Sequence, residues 1–240
     1  MAHISMPDLP PNNITIAHSN VRSLIPKMHL VRRTLNDQNI DVMCITETWL
    51  TPKTKTLDLS GYKIVRRDRL AQSGKVGTAA STRGGGVAIL YREHLHVNIL
   101  NIGKGDKACE SLWVSLHGGD GQRAITVGAV YRPPSAYPSK GVLDVLHGQL
   151  QAAVAIDQPV FCLGDFNINI MDGGAPGVRK MNTILSDLSI SQLVTKPTRL
   201  TPRESLLDWI LTNRPEMAVA VSVPPSPIAD HLTTIVSVSE

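Results

Sequence analysis

A chain of 240 residues with 42% hydrophobic content is long enough to bury one sizeable core, and a formal charge of +4 leans mildly towards a polyanionic partner. No apolar run is long enough to cross a bilayer, and residues 1–13 lack the charged start and apolar stretch of a signal peptide, so a soluble, intracellular protein with no membrane partner is expected. Cys44, Cys109 and Cys162 are odd in number, show no paired spacing, and read as buried free thiols rather than a disulfide framework or a metal site.

Beyond residues 1–12, read as a flexible N-terminus, a β-type run NITIAHSN opens a domain expected to span 13–240. A helix-period segment follows, PKMHLVRRTLNDQ, with Met28, Val31 and Leu35 on one face, and then the strand-like DVMCIT. The stretch from Arg66 to Arg83, rich in Gly, Ser and charge, reads as a long loop. GGGVAILYR, SLWVSL and AITVGAVY are three further β-type runs. A second helix, SKGVLDVLHGQLQAAV, aligns Val142, Val145, Leu146 and Leu150 before the strand PVFCLGD. The third helix, GVRKMNTILSDLS, aligns Val178, Met181, Leu185 and Leu188, and LDWILTN and LTTIVSV close the pattern. Several of these strands are apolar on both faces, which requires sheets packed face to face under helices.

Polar residues stand where buried strands should be ending. PVFCLGDFNINI runs from an apolar core into Asp165 and Asn167; Asn20 follows ITIAHS, Glu47 follows VMCIT, Tyr131 follows ITVGAV, and Asp230 and His231 precede the last run. Asp208 lies between Leu207 and Trp209, where a carboxylate needs a partner such as histidine. Each also has a structural explanation: an Asx turn at Asp165, a turn cap at Asn20, a first-turn helix acid at Glu47, a core aromatic at Tyr131, a solvated ring at His231. Their convergence is better explained by a site. Oxygen ligands suit a hard divalent cation such as Mg²⁺, and the remaining donors suit a phosphodiester under hydrolysis.

NVRSL, ITETWL, RGGGVAILYR, VYRPP, LGDFNIN, LDWILTN and ADH occur in the order seen in the exonuclease/endonuclease/phosphatase superfamily, and ETWL, GGGVAI, YRPP and LDWIL resemble more narrowly the endonuclease domain of non-LTR, LINE-type retrotransposons. The resemblance runs from Asn13 to Val238. It implies a four-layered α/β sandwich of the deoxyribonuclease I type, with the site where strand ends converge. Glu47 would be the principal ligand of Mg²⁺, or of Mn²⁺ in its place, with Asn20 beside it and Asp230 completing the surroundings. Asp165 would orient or deprotonate the attacking water, and Asn167 would steady that water or the phosphate; His231, fixed by Asp208, and Tyr131 would donate to the scissile phosphate. Two departures stand out: Ala229 replaces the Ser common before the Asp-His pair, and Arg22 replaces the acid of apurinic endonucleases, favouring the retrotransposon branch.

The same resemblance implies double-stranded target DNA as the partner, gripped by KPTRLTPRES through Thr198, Arg199 and Arg203, with Arg22 as a phosphate contact; the charge cluster of Arg66, Arg67 and Arg69 reads either as a track for phosphates or as a solvated surface. A nick leaving a 3′-hydroxyl would prime a reverse transcriptase domain of the same polyprotein, in the nucleus. The competing readings are an apurinic-site repair nuclease, a phosphatase, which YRPP and ETWL argue against, and a catalytically silent DNA-targeting module.

Overall fold

A computed structural model describes residues 13–55, 57, 59–69, 84–103, 109–118, 123–134 and 141–239. The N-terminal segment 1–12, residues 70–83 of the expected loop and the first two residues of the expected second helix lie outside the described residues. In one sheet, β1 (Asn13–Asn20) is flanked by β12 (Thr234–Ser239) and β2 (Val42–Thr46), followed outward by β11 (Ala218–Ser222) on one side and by β4 (Val87–Arg92) and β3 (Tyr62–Arg67) on the other. The second sheet runs β5 (His96–Ile99), β6 (Glu110–His117), β7 (Ile125–Tyr131), β8 (Val160–Asp165), β10 (Asp208–Thr212) and β9 (Ser191–Gln192). Both six-stranded sheets are mixed: β1–β2 and β7–β8 pair in parallel, and the other pairs are antiparallel.

Strand alternation divides the apolar residues between layers. Ile16, Cys44, Ile89 and Val236 of the first sheet meet residues of the second in one core, which continues to α2 (Val142–Val154) and α3 (Pro176–Asp187) through Leu146, Leu150, Val178 and Met181. Residues of alternate parity, Ala17, Met43, Ile45 and Leu90, pack instead with Val31 and Leu35 of α1 (Met28–Asp37). The result is the expected α/β sandwich, two sheets between helices. Pro26 ends up in a short 3₁₀ turn ahead of α1, consistent with its fixed φ. The three cysteines are buried and free, and no helix among the described residues is long and apolar enough to cross a membrane.

The strands not anticipated from sequence are β3, β5, β9 and β11. Arg66 and Arg67, assigned to a loop, close β3.

Candidate active site

Strand direction brings the polar residues together. The parallel pairs β1–β2 and β7–β8 end at Asn20, Thr46, Tyr131 and Asp165, while antiparallel β10 begins at Asp208. Register places Tyr131 opposite Asp165 and Asp165 opposite Asp208, in one row across the second sheet. Asn20 crosses from the first sheet: its amide donates to Asp165 Oδ2 at 2.9 Å and to Glu47 Oε1 at 3.0 Å, and its carbonyl oxygen accepts from the Arg22 N–H. One carboxamide thereby spaces two carboxylates on facing sheets.

Glu47 and Trp49 both have φ of 54°, in the left-handed region that ordinary side chains rarely adopt. The glycine run stabilises this turn, because the Thr48 and Trp49 N–H groups donate to the carbonyls of Gly86 and Gly85. A Cβ on Gly85 would collide with the Arg69 guanidinium and one on Gly86 with the Thr48 hydroxyl, so the close approach requires glycine. Behind it, Glu110 accepts from the Gly86 N–H and pairs with Arg69, whose guanidinium lies 5.8 Å from the Tyr131 ring centre. The Glu47 carboxylate accepts from Asn20 and from the Tyr131 hydroxyl on Oε1, and from the Trp49 indole at 3.2 Å on Oε2. These donors are neutral and leave its charge for a cation, as a hard-metal ligand requires.

Asp165 accepts the Asn167 backbone N–H at 3.0 Å, so the Asx turn and the site use the same atoms. Arg132, only 2% exposed, donates to the Phe166 and Asn167 carbonyls, and the Asn167 amide returns a bond to the Arg132 carbonyl. Sequence reasoning missed Arg132, although VYRPP carries it. Burial, and after it the charge of Asp208, lift the Asp165 carboxyl to about 7 against the pull of His231, Asn20 and Asn167.

His231, 3% exposed, places Nδ1 at 2.9 Å from Asp208 Oδ2, and Thr198 donates to the same oxygen at 2.6 Å. Burial alone would push the ring down, but the Asp208 hydrogen bond and the charges of Asp208, Asp165 and Asp230 outweigh it and lift it to about 9. Ligand atoms of Asp165, Asp208 and His231 lie within 4.8 Å of one another, close enough to hold a metal ion. A protonated ring has no lone pair for a cation, so proton handling suits His231 better than ligation. Burial, then Glu47 and Asp165, raise the Tyr131 hydroxyl, which stays a donor.

Around this centre the assignments change. Thr198, expected to touch DNA, is fully buried: its hydroxyl donates to Asp208 and accepts the Leu207 and Asp208 N–H groups. It orients the carboxylate. Asp230, expected at the metal, keeps a place for it: Oδ2 pairs with Arg199 at 2.9 Å, and Oδ1, 3.3 Å from Arg22, accepts no hydrogen bond. Arg203 is exposed. The expected phosphate-tracking arginines are internal staples: Arg66 donates to the Thr51 and Thr54 carbonyls, Arg67 to those of Gly103 and Ser111, and Arg69 pairs with Glu110. Lys27, passed over in the sequence, lies near enough to Glu47 and Asp230 for their charges to act on it; burial and Arg22 lower it overall.

These shifts fix a pH dependence of stability. His231 rises from 6.5 to about 9, so across that window the folded state binds more protons than the unfolded chain and stability falls as pH rises. Asp165, raised from 3.8 to about 7, acts in the same sense at lower pH, whereas His18, lowered to about 4 mainly by burial, acts oppositely up to 6.5. The metal-free protein is therefore expected to change little between about pH 4 and 6.5, where Asp165 and His18 offset each other, and then to lose on the order of 1 kcal/mol per pH unit towards pH 9. Thermal unfolding in EDTA across that range checks it.

Residues 17–234 match the model of the endonuclease/exonuclease/phosphatase family. The chain belongs to this family. Its members are hydrolases, generally dependent on divalent metals. Among solved structures, the endonuclease domain of TRAS1, a telomere-specific non-LTR retrotransposon, aligns with a TM-score of 0.70 at 13% identity, over 95% of this chain and 98% of that one. The AP endonuclease LMAP of Leishmania major aligns with a TM-score of 0.76 at 15% identity, over 97% and 89%. A 3′-5′ exonuclease of Neisseria meningitidis gives 0.67 at 17%, over 95% and 100%. These likenesses establish the fold of the endonuclease/exonuclease/phosphatase family. No curated protein sequence matches significantly.

Proposed function

We propose that the chain is the Mg²⁺-dependent DNA endonuclease domain of a non-LTR retrotransposon protein, nicking one strand of target DNA by phosphodiester hydrolysis. The observation that carries this reading is a carboxylate that ionises near neutral pH, Asp165, set opposite Asp208 across the strand ends, with an imidazole that keeps its proton to about 9, His231, held by the same Asp208. A base for water and a donor for phosphate are the two groups that hydrolysis requires. Asp165 accepts the proton of the attacking water, and Asn167 steadies the turn that presents it. Asp208 fixes His231 through Nδ1, leaving Nε2 to donate to a phosphate oxygen. Tyr131 adds a hydroxyl from the Glu47 side. Glu47, with oxygens of Asn20 and Asp230 as further donors, would hold a divalent cation, Mg²⁺ or Mn²⁺, that supplies Lewis-acid stabilisation of phosphate charge.

The retrotransposon branch is supported by ETWL, GGGVAI, YRPP and LDWIL and by Arg22 where apurinic endonucleases carry an acid. Arg22, Arg199 and Arg203 supply positive charge beside the site for a DNA backbone. The nick would leave a 3′-hydroxyl priming a reverse transcriptase domain of the same polyprotein, in the nucleus. Conversion of supercoiled plasmid to open circles with Mg²⁺, and its loss in EDTA, tests the proposal. Cleavage confined to a duplex with one abasic site would replace it with repair, and binding without cleavage would replace it with a silent targeting module.

Trp49 gives a finer check on the cation. Trp49→Phe keeps an aromatic ring but removes the indole donor to Glu47, and outer-shell donors of this kind are worth roughly 10-fold in metal affinity. The Mg²⁺ concentration for half-maximal nicking is expected to rise by about that factor, with the maximal rate little changed.

A further inference from the structure

His18 lies two residues before Asn20 on β1, is wholly buried, and takes no part in the chemistry above. Its ring is on the strand face turned towards the second sheet. Nε2 lies 3.0 Å from the Thr46 hydroxyl, and Nδ1 lies 3.6 Å from Asp208 Oδ1 with no hydrogen-bond partner of its own. Asp208 thus meets two imidazoles, His231 at 2.9 Å from Oδ2 and His18 beyond Oδ1, while Thr198 donates to Oδ2.

The tautomer of His18 follows from its neighbours. A proton on Nε2 would turn the Nδ1 lone pair towards the Asp208 carboxylate, a repulsion in a buried setting where polar contacts are strong. A proton on Nδ1 turns an N–H dipole towards that carboxylate, an attraction across 3.6 Å rather than a hydrogen bond, and lets the Thr46 hydroxyl donate to Nε2. A core position that needed only volume would take an apolar side chain, without the cost of burying two ring nitrogens.

We propose that His18 is a positioning residue that braces Asp208 from beneath through its Nδ1–H, fixing the carboxylate that aims His231. The proposal rests on the reading of Asp208 and His231 as the phosphate-facing pair for its effect on rate, but its structural part can be tested without activity.

The first measurement is ¹⁵N-resolved NMR of the imidazoles in the wild-type protein. A neutral His18 protonated on Nδ1 is expected, and protonation on Nε2 overturns the proposal. The second follows the His231 Nδ1–H resonance, which a bond to Asp208 moves far downfield. His18→Phe, which keeps the ring's bulk without its nitrogens, is expected to broaden or shift that signal and to lower kcat for plasmid nicking about 10-fold with KM unchanged. His18→Gln, whose amide can still donate to Asp208, is expected to restore most of both. Thr46→Val, a milder change in case the Phe variant does not fold, is expected to disturb the His18 tautomer and the same His231 signal. An unmoved His231 resonance in a folded His18→Phe or Thr46→Val protein overturns the proposal. A wild-type protein that does not nick DNA would instead count against the proposed function, leaving the NMR result to decide the role of His18.

Discussion

Asp165→Asn is expected to reduce nicking by about 10²- to 10⁴-fold while raising the stability of the metal-free protein. The two effects share one cause. Asp165 sits fully buried opposite Asp208, and burial together with that second negative charge lifts its carboxyl from 3.8 to about 7. Above that pH the folded protein holds an ionised carboxylate that the unfolded chain would ionise far more readily, so the charge opposes folding. Asn removes the charge and keeps the shape. It retains an oxygen for the Asn167 N–H but turns an amide towards Asn20, losing one bond of about 1 kcal/mol. Relief of the charge is the larger quantity, so at pH 8 in EDTA the melting temperature should rise by a few degrees, for about 2–4 °C per kcal/mol in a domain of this size. A variant both inactive and less stable would indicate that Asp165 is a structural anchor rather than a base held under strain.

Asp165 was visible in the sequence because a carboxylate closing a doubly buried strand is conspicuous. The same signal marked Asn20, Glu47 and Asp208, each beside an apolar run. It also explains which strands were readable. The runs recognised in the sequence are interior strands with both faces covered, such as β2, β7 and β8, buried along their whole length. The strands passed over, β3, β5, β9 and β11, are the two edges of each sheet, and residues such as Lys63, His96 and Val219 face solvent there. β3, β5 and β9 carry polar residues of the kind that discourage further pairing and so lack an apolar run to announce them, whereas β11, AVAVS, has such a run and leaves Val219 and Val221 exposed at its edge. Contacts across the fold were equally silent. Nothing local distinguishes the Arg67 that staples two carbonyls from an arginine on a DNA-facing loop, and Thr198 looked like a surface hydroxyl until the chain brought Asp208 to it. Trp49 and Arg132 stood inside recognised motifs, yet their hydrogen bonds depend on turns with positive φ at Glu47, Trp49 and Asn167, which the motifs do not spell out.

His231→Ala is expected to match Asp165→Asn in its loss of rate, about 10²- to 10⁴-fold, and to differ from it in pH dependence. The wild-type rate should follow a bell. Asp165 accepts a proton only when ionised, so the rate climbs through about 7, a limb that a bound divalent cation draws to lower pH by favouring the carboxylate. His231 donates only while protonated, so the rate falls through about 9. Removing the ring removes that alkaline limb from the residual activity and leaves the acid limb, whereas Asp165→Asn does the reverse. Duplex affinity should stay within a few-fold of wild type, because Arg22, Arg199 and Arg203 lie outside the exchange and phosphate grip is chiefly electrostatic. Single-turnover nicking at saturating protein, measured between pH 5.5 and 10, separates these outcomes: an alkaline limb that survives His231→Ala would assign the donor to another group, such as Lys27, on which the charges of Glu47 and Asp230 both act.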